Sequence, residues 1–408
     1  MTQLTEISRG ARATDTRIIS LVCAAHFVSH FYILVLPPLF PFIRDYYGVS
    51  YTQLGFALTA FNVTTALCQT PAGFLVDRIG ARSVLVCGLV LGAICLAIVG
   101  LIPSFWLLVA MFALFGVANG VYHPADYAIL SQLVSQERAS QAFSLHIFAG
   151  FLGTAVTPAT MLILQGVLGW QGAFVAASVM GLLVAIALVA QPAALFAAPP
   201  KPVRAAGKEK DKGGWSLLLS GPILLNLLFF VMITFSTTGV QNYSAVALHE
   251  AYGTPIGIAN TALTANLMLS ALGVLAGGVL AARVGRPEWI AAGSFLGIAL
   301  TGAVIGIWDL GFGLLMIVMS LNGFVNGLMQ PSRDMIVRAV TPEGQFGKVF
   351  GFVTTGFNIG GIIAPLLFGW VMDAGHPRAV FFLVCGLSLL AILTLIPNFI
   401  RARAVDRA

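Results

Sequence analysis

Seven side chains that can carry a charge lie inside long apolar stretches of this 408-residue sequence. An ionisable group is costly in such a stretch, so each of the seven is a candidate for function. Histidine beside aspartate can bind and release protons near neutral pH, and arginine can bind an anion. The set therefore indicates proton transfer and anion recognition. Its members are His26, His30, His123, Asp126, His146, Arg333 and Asp334.

Three polar residues share one predicted helix face in the fourth apolar segment. Asn119, His123 and Asp126 are spaced by four and three residues, which places them on one side of an α-helix. Burial and the neighbouring carboxylate change the proton affinity of His123 in opposite directions, so this imidazole could bind and release a proton. The alternative is structural, with His123 capping backbone groups freed by Pro124 and Asp126 holding the ring there.

A matching polar face lies in the second half of the chain. Asn326, Gln330 and Arg333 have the same spacing, and Arg333 stands 207 residues after Asp126. Opposite charges at equivalent positions predict a pairing across a central cavity, which substrate or a proton would break. Arg333 could instead be a fixed charge for an anionic substrate, because guanidinium binds carboxylates and phosphates with paired hydrogen bonds. As a third possibility, its head could reach the membrane surface from about 10 Å inside the helix.

The first and seventh apolar segments also contain polar residues. His26 and His30 share a helix face, although a lone histidine on an apolar helix is more often a packing residue. Pro37 and Pro38 predict a kink after them, which frees backbone carbonyls. The seventh segment has a polar face that could bind hydroxyls or carbonyls of a solute, or only bond between helices. This face comprises Thr234, Thr237, Thr238, Gln241 and Asn242.

The composition identifies the class of protein. Hydrophobic residues make up 58% of the chain and charged residues only 9%, whereas soluble domains contain about 25% charged residues. An integral membrane protein with many spans is therefore predicted. The five cysteines show no Cys-x-x-Cys spacing, so the sequence predicts neither a disulfide framework nor a metal site. The motifs of metalloproteases, serine hydrolases and nucleotide-binding loops do not occur, which argues against an enzyme or an ATP-driven pump.

Twelve apolar segments are long enough to cross a bilayer, which requires about 20 residues. They predict an all-α protein with one six-helix bundle at 18–191 and another at 217–399. The Pro/Ala-rich and then charged stretch 192–216 is predicted to be a flexible linker, and 1–17 and 400–408 are predicted tails. The segments are 18–43, 51–76, 83–102, 105–134, 141–167, 170–191, 217–246, 257–281, 288–308, 311–340, 347–371 and 379–399.

A repeat at an offset of 207 residues indicates that the two bundles are homologous. Gly116 and Gly120 match Gly323 and Gly327, and a proline follows each pair. Such small-x3-small pairs let two helices approach closely, so these glycines are predicted to be helix contacts. Further small residues mark the fifth and eleventh segments, namely Gly150, Gly153, Pro158, Gly356, Gly360 and Pro365.

The basic residues predict the orientation in the membrane. With the N-terminus inside, eighteen of the 21 lysines and arginines fall on the cytoplasmic side, where membrane proteins concentrate positive charge. Only Arg44 and Arg378 fall outside, and Arg333 lies within a span. Both termini are therefore predicted to be cytoplasmic, in a plasma or bacterial inner membrane. The net charge of +6 follows from this topology and does not indicate binding to nucleic acid.

The loop between the second and third segments carries a charged motif. It reads Gly73-x3-Asp77-Arg78-x-Gly80-x-Arg82, with a weaker second copy Gly278-x3-Ala282-Arg283-x-Gly285. Together with two six-helix halves and a basic central linker, this motif resembles the major facilitator superfamily. The resemblance implies that Asp77, Arg78, Arg82 and Arg283 act as a cytoplasmic gate between the halves. It also implies two pseudo-symmetric bundles and a central cavity lined by spans one, four, seven and ten.

The first half is similar to the fosmidomycin-resistance branch of exporters. The matching residues are His26-Phe-Val-Ser-His30, Leu36-Pro37, Tyr51-Thr-Gln-Leu-Gly55, Phe61-Asn62, Tyr122-His123-Pro124 and Gln141-Ala-Phe. In that branch an acidic residue commonly stands about where His30 stands here. On the implied cavity wall, the predicted substrate-binding residues are Asn119, Tyr122, Gln241, Asn326, Gln330 and Arg333.

These observations predict a secondary active transporter that works by alternating access. The favoured function is proton-coupled export of a small organic compound, anionic or drug-like, with His30, His123 and Asp126 as the proton-coupling residues. The alternative is proton-coupled uptake or facilitated diffusion of an organic anion, with Arg333 as its ligand. The predicted partners are the solute and the lipid bilayer, the protein is expected to be a monomer, and a proton gradient is the only energy source invoked.

Overall fold

The computed structural model describes residues 2–196, 215–342 and 345–396. Across these residues every regular element is helical, which confirms the all-α prediction. Short 3-10 turns at Pro37–Leu39 and Ala193–Phe196 and a π-helical turn at Gly239–Tyr243 interrupt or follow the α-helices. The α-helices are α1 (Thr2–Ile33), α2 (Phe40–Tyr47), α3 (Tyr51–Ile79), α4 (Ala81–Leu101), α5 (Phe105–Asn119), α6 (Tyr122–Leu133), α7 (Gln136–Val189), α8 (Trp215–Leu218), α9 (Gly221–Thr238), α10 (Ser244–Tyr252), α11 (Ile256–Val284), α12 (Pro287–Ile307), α13 (Phe312–Val340), α14 (Phe346–Asp373) and α15 (Ala379–Thr394).

Nine helical stretches in the described part of the chain are long and apolar enough to cross a membrane. The longest is α7 with 54 residues, but Gly169 interrupts it with φ 72°, a value that glycine adopts without strain. This break separates the predicted segments 141–167 and 170–191, so α7 contains both. The described residues of the twelve predicted segments are mostly helical, and the number of spans itself stays a prediction.

The predicted tails and linker lie at the edges of what the structure describes. Helix α1 begins at Thr2, so the predicted tail 1–17 is helical from that residue onward. Residues 197–214, most of the predicted linker, lie outside the described residues, as does the tail 400–408.

The described helices form two compact units. Unit 1 combines the chain up to Leu36 with the part from Ala60 to the central linker, and unit 2 combines Pro37–Thr59 with the part after the linker. The units resemble the predicted bundles except at residues 37–59. This segment was predicted to belong to the first bundle, and it packs with the helices of the second.

Helix packing in unit 1 depends on close approach at small residues. A side chain at Gly116 would collide with the carbonyl oxygen of Phe61 and with Thr64 on α3. The Thr64 hydroxyl lies 2.6 Å from the carbonyl oxygen of Ala113, and the Thr65 hydroxyl donates to the carbonyl of Gly116 at 3.0 Å. The predicted role of this glycine as a helix contact is confirmed.

The second copy of the glycine pair also allows two helices to approach closely, in unit 2. A side chain at Gly323 would collide with the carbonyl oxygen of Asn266, and one at Gly327 with that of Ser270, both on α11. Helices α11 and α13 therefore pack backbone against backbone. The 207-residue repeat thus corresponds to equivalent helix contacts in the two units.

Prolines have different effects in the two copies of the repeat. Pro124 lacks an N–H for the carbonyl of Gly120, and a turn at residues 120–121 separates α5, which ends at Asn119, from α6, which begins at Tyr122. Both turn residues keep helical backbone angles, so Phe105–Leu133 continues as one apolar stretch. Pro331 lies inside the continuous helix α13. The predicted kink at Pro37 is present as a 3-10 turn between α1 and α2.

The N-terminus of α3 is capped by a carboxylate from a distant part of unit 2. Asp373, the last residue of α14, accepts hydrogen bonds of 2.8 Å from the backbone N–H groups of Tyr51 and Thr52. Its Oδ2 atom also accepts the Thr52 hydroxyl at 2.6 Å. Nearby, Glu250 accepts from Tyr51 at 2.8 Å and from Arg44 at 3.1 Å. These contacts fix residues 37–59 to unit 2.

Removing the Asp373 carboxylate is expected to loosen the start of α3. Asp373→Ala leaves two helix N–H groups without their acceptor, and loss of a cap typically costs about 0.5–2 kcal/mol. Amide hydrogen exchange at Tyr51 and Thr52 should therefore accelerate by about twofold to thirtyfold. Asp45→Ala, which removes an exposed carboxylate from α2, is the matched control. Unchanged exchange in Asp373→Ala would show that the cap does not stabilise this helix.

Candidate functional site

Asp126 lies at the centre of a group of histidines inside unit 1. Its side chain is fully buried, and its Oδ2 atom lies 3.1 Å from Nε2 of His146 in hydrogen-bond geometry. The same oxygen lies 3.2 Å from Nδ1 of His26. Because Asp126 is on α6, His26 on α1 and His146 on α7, one carboxylate oxygen connects three helices. Asp126 with His26, His30, His123 and His146 is named the histidine cluster below.

The imidazole rings of the histidine cluster are in direct contact. His26 stacks on His146 with ring centroids 3.6 Å apart and 22° between the ring planes. The His26 ring also lies 4.5 Å from that of His30 and 5.2 Å from that of His123. Tyr127 stacks on the outer face of His123 at 6.0 Å. A charge on one member of the cluster therefore acts on its neighbours over short distances.

The orientation of His30 follows from the hydrogen bonds of Thr154. The Thr154 hydroxyl donates its only proton to the carbonyl of Gly150 at 3.2 Å. Its oxygen lies 3.2 Å from Nδ1 of His30, so it accepts the N–H of that nitrogen. This assignment leaves Nε2 of a neutral His30 as the atom that can take up a proton.

Several polar atoms of the histidine cluster have no hydrogen-bond partner within the described residues. They are Nδ1 of His26, Nδ1 of His123, Oδ1 of Asp126 and Nδ1 of His146. An isolated carboxylate is costly at such a buried site, whereas one proton shared between Asp126 and a histidine makes their combined charge zero. The arrangement can therefore hold a proton and still offers unpaired atoms to a second one.

The same donor atoms bear on metal binding. Ligand atoms of His26, Asp126 and His146 all lie within 4.8 Å of one another. Nδ1 of His26 and Nε2 of His146 lie next to the same Oδ2 atom of Asp126, at 3.2 and 3.1 Å. These are ligand types that could hold a metal ion, and the absence of a metal site stays a prediction.

The other predicted residues of the fourth segment have different surroundings. Tyr122 is buried in unit 1, and its hydroxyl has no hydrogen-bond partner within the described residues. Asn119 is half-buried at the end of α5, before the short turn that precedes His123 and Asp126. The two turn residues keep helical backbone angles, and a shared function of Asn119, His123 and Asp126 stays a prediction.

Arg333 packs beside two neighbouring aromatic rings in unit 2. Its guanidinium carbon lies 5.3 Å from the ring centre of Phe230 and 5.2 Å from that of Phe357. Its Nη1 donates to Oε1 of Gln330 at 2.6 Å, and its Nε donates to Asp334 at 2.8 Å. These bonds use two of the five guanidinium N–H donors, so the group can still bind an anion with paired hydrogen bonds.

The contacts of Arg333 decide between two of its predicted roles. Gln330 lies one turn toward the N-terminus of α13, so the guanidinium is directed away from the Val340 end of the helix. This direction is opposite to the one that reaching the membrane surface at that end requires. Asp126 and Arg333 each have partners within their own unit, and a pairing between them stays a prediction.

Gln241 and Asn326 line a narrow pocket inside unit 2. The pocket has a free volume of about 10 Å³, room for about one water molecule, and its eight lining residues are uncharged. The π-helical turn Gly239–Tyr243 presents Gln241 to it, and α13 contributes Asn322 and Asn326. Two of the six predicted substrate-binding residues therefore meet in one place, which the sequence could not show.

The predicted gate residues lie at helix ends. Gly80 has φ 88° and allows the sharp turn from α3 into α4. Arg82 donates to the carbonyl oxygens at the end of α7, of Leu188 at 2.9 Å, Val189 at 3.0 Å and Gln191 at 2.7 Å. Arg82 thus caps a helix of its own unit. Asp77, Arg78 and Arg283 are exposed in the last turns of α3 and α11, and their gating role stays a prediction.

Comparison with known sequences identifies the family. A sequence profile described as Major Facilitator Superfamily matches residues 22–246 and 231–407. The chain belongs to the Major Facilitator Superfamily. This member of the superfamily is therefore a membrane transporter and not an enzyme, and the predicted family resemblance is confirmed.

Two relatives of this superfamily member match it over almost its whole length. The probable sulfoacetate transporter SauU of Cupriavidus necator is 24% identical and covers 95% of this chain and 94% of the relative. The fosmidomycin resistance protein of Escherichia coli K12 is also 24% identical and covers 95% of each chain. Among solved structures, the nucleoside transporter NupG matches with a TM-score of 0.76 at 14% identity, covering 94% of this chain and 100% of that chain. This last match shows a shared fold.

Two members of the histidine cluster fall outside the proton-coupling set predicted for this transporter. That set named His30, His123 and Asp126, whereas the side chains nearest to the carboxylate are His26 and His146. His26 was predicted by default to be a packing residue. Its spacing of four from His30 was the available signal. His146 was one of the seven ionisable candidates, but its sequence position did not indicate a contact with Asp126, because its position relative to α6 is set by tertiary packing.

Gly150 provides the space for the histidine cluster. A methyl group at this position would lie 2.7 Å from Nε2 of His26 and 3.0 Å from Cδ2 of His30. Gly150→Ala is expected to displace His26 from Asp126 and to destabilise the protein by about 1–3 kcal/mol. The temperature of thermal unfolding and the rate of pH-driven transport should both fall. Gly166→Ala in the same helix meets no neighbouring atom within 4 Å and should leave both unchanged. Equal behaviour of the two variants would contradict the role of Gly150.

Proposed function

We propose that this protein is a proton-coupled secondary transporter that exports a small organic anion by alternating access. The observation that supports coupling most directly is the fully buried Asp126 surrounded by four histidines. A buried carboxylate that contacts two imidazoles can change its protonation when water reaches it from either side of the membrane.

Protonation of the histidine cluster would alter the packing of three helices. Asp126 connects α1, α6 and α7 through the two rings that contact it, so a change in its charge changes both contacts. Such a change favours one conformation over another if the contacts differ between the two. The titratable groups around Asp126 are Cys23, His26 and His30 on α1, Tyr122, His123 and Tyr127 on α6, and His146 on α7.

Arg333 supports an anionic substrate. Its charge lies beside the rings of Phe230 and Phe357, and Gln330 and Asp334 hold its orientation while part of the guanidinium is left for a ligand. One relative that matches along almost the whole chain is named as a probable transporter of sulfoacetate, an organic anion. Both observations support an organic acid as the solute.

The direction of transport has two candidates. Likeness to a protein named for drug resistance supports export. Likeness to a sulfoacetate transporter over the same length supports uptake of an anion as the second candidate. Export and uptake are distinguished by the direction of the pH gradient, interior acidic or interior alkaline, that drives accumulation of the solute.

Reconstitution in liposomes tests the proposal. The purified protein is offered labelled sulfoacetate, galactonate and fosmidomycin with the interior acidic, alkaline or at the external pH. At least one acid should accumulate only when a pH gradient is imposed, and a protonophore should abolish that accumulation. A rate that is independent of both gradient and protonophore would overturn proton coupling, and inertness toward every acid would overturn the substrate class.

A further inference from the structure

The pocket in unit 2 that contains Gln241 and Asn326 has the chemistry of a hydroxyl-binding site. Its polar groups are carboxamides and hydroxyls, which both donate and accept hydrogen bonds. A solute hydroxyl also donates and accepts, whereas a carboxylate only accepts. The pocket therefore matches a neutral oxygen better than a charged one. It is named the carboxamide pocket below.

The back wall of the carboxamide pocket is fixed by a chain of hydrogen bonds. Asn266 donates to the carbonyl of Met319 at 2.9 Å and to Oδ1 of Asn322 at 3.0 Å. Asn322 in turn donates to the Thr301 hydroxyl at 2.7 Å, and Thr301 donates to the carbonyl of Gly297. These buried groups hold one another in place, so the pocket is formed before a ligand enters.

The front of the carboxamide pocket is free to bind. No hydrogen bond joins the side chain of Gln241 or Asn326 to any other described residue, and both side chains are only half-buried. The π-helical turn holds Gln241 in position because Gly239 lies against Phe368 and Val384, where a methyl group would come within 2.7 Å. Such turns interrupt helices frequently at functional sites.

The carboxamide pocket lies on the same face of α13 as the guanidinium of Arg333. Asn326, Gln330 and Arg333 are spaced by four and three residues on one continuous helix. Since the guanidinium is bonded to Gln330, its anion site lies about 6 Å along the helix axis from Asn326. At about 1.5 Å for each carbon–carbon bond, a chain of about five carbons spans this distance.

We propose that the carboxamide pocket binds the hydroxylated end of the substrate while Arg333 binds its acidic end. The substrate class is a hydroxylated carboxylic acid of about five or six carbons. This inference rests on the proposed function, because it takes Arg333 as the anion ligand. It adds the hydroxyl groups as the feature by which the protein selects its substrate. The free volume of about 10 Å³ fits one hydroxyl group of such a solute and excludes a bulky group.

Binding of two acids of equal length and charge tests the inference. Gluconate carries hydroxyls on its chain and hexanoate carries none, and both are titrated into the purified protein by calorimetry. The wild type should bind gluconate at least about tenfold more tightly than hexanoate. Gln241→Leu and Asn326→Leu should each remove most of this preference and leave hexanoate binding unchanged. Gln69→Leu, an exposed carboxamide of α3, is the matched control.

The outcomes separate this inference from the proposed function. Equal binding of the two acids, or a preference that survives both leucine variants, overturns the inference and leaves an anion transporter in place. Failure of the wild type to bind either acid overturns this inference, whereas the proposed function is decided by the liposome assay with its own set of acids. Thermal unfolding of each variant shows whether it is folded. A further variant, Gln241→Asn, keeps the carboxamide but shortens its reach, and its preference for gluconate over hexanoate should be intermediate.

Discussion

Asp126→Asn is expected to abolish transport driven by a pH gradient while the protein still folds and exchanges its substrate. Asparagine has nearly the shape of aspartate, and its amide oxygen can accept the hydrogen bond from Nε2 of His146. It cannot bind the proton that the carboxylate shares with its neighbours. Removing a positioned proton acceptor typically costs about two orders of magnitude or more in the step that needs it, so gradient-driven accumulation should fall by that factor.

The measurement for Asp126→Asn compares two assays on the same proteoliposomes. Accumulation under an imposed pH gradient requires coupling, whereas exchange of labelled for unlabelled substrate at equal pH does not. The variant should lose the first and keep the second. Asp45→Asn removes an exposed carboxylate and should behave as the wild type in both. Gradient-driven accumulation at the wild-type level in Asp126→Asn would place the coupling group elsewhere.

Arg333→Ala is expected to weaken binding of the organic acid by about a hundredfold or more. Each hydrogen bond to a charged group contributes about 1.5–3 kcal/mol, and a guanidinium can form two with one carboxylate. Arg333→Lys keeps the charge but loses the planar fork that packs against Phe230 and Phe357. Its affinity should therefore lie between those of the wild type and the alanine variant.

Calorimetric titration of each purified variant measures this effect directly. Arg338→Ala, an exposed arginine in the last turn of the same helix, is the matched control and should bind the acid as the wild type does. The alanine variant should unfold at nearly the wild-type temperature, because the carboxylate of Asp334 is almost half exposed and stays hydrated without its partner. Wild-type affinity in Arg333→Ala would exclude this residue as the anion ligand.

The residues of the candidate site were only partly predictable from the sequence. Charged and imidazole groups in apolar segments are conspicuous because hydrocarbon does not solvate them, and that rule identified His26, His30, Asp126 and Arg333 as candidates. It could not rank them. His26 lies in the first helix and its carboxylate partner about one hundred residues later, and only tertiary packing brings such distant positions together.

The two prolines of the repeat have different local effects that the sequence did not distinguish. Pro124 removes the backbone hydrogen bond to the carbonyl of Gly120, and a two-residue turn with helical backbone angles separates α5 from α6. The equivalent Pro331 lies inside the continuous helix α13. The same residue type therefore has different consequences in different surroundings.

The sequence by itself determined the class of the protein, its family, its helices and the repeat that relates its halves. These follow from hydropathy, residue spacing and local motifs, which act over a few turns of helix and need no knowledge of neighbours. Tertiary structure alone decided which helices meet. It placed His26 and His146 on Asp126, opened the space at Gly150 and gathered Gln241 and Asn326 around one pocket. The physical reason is that close contacts between helices depend on shape and glycine placement along whole surfaces, which no single segment of sequence contains.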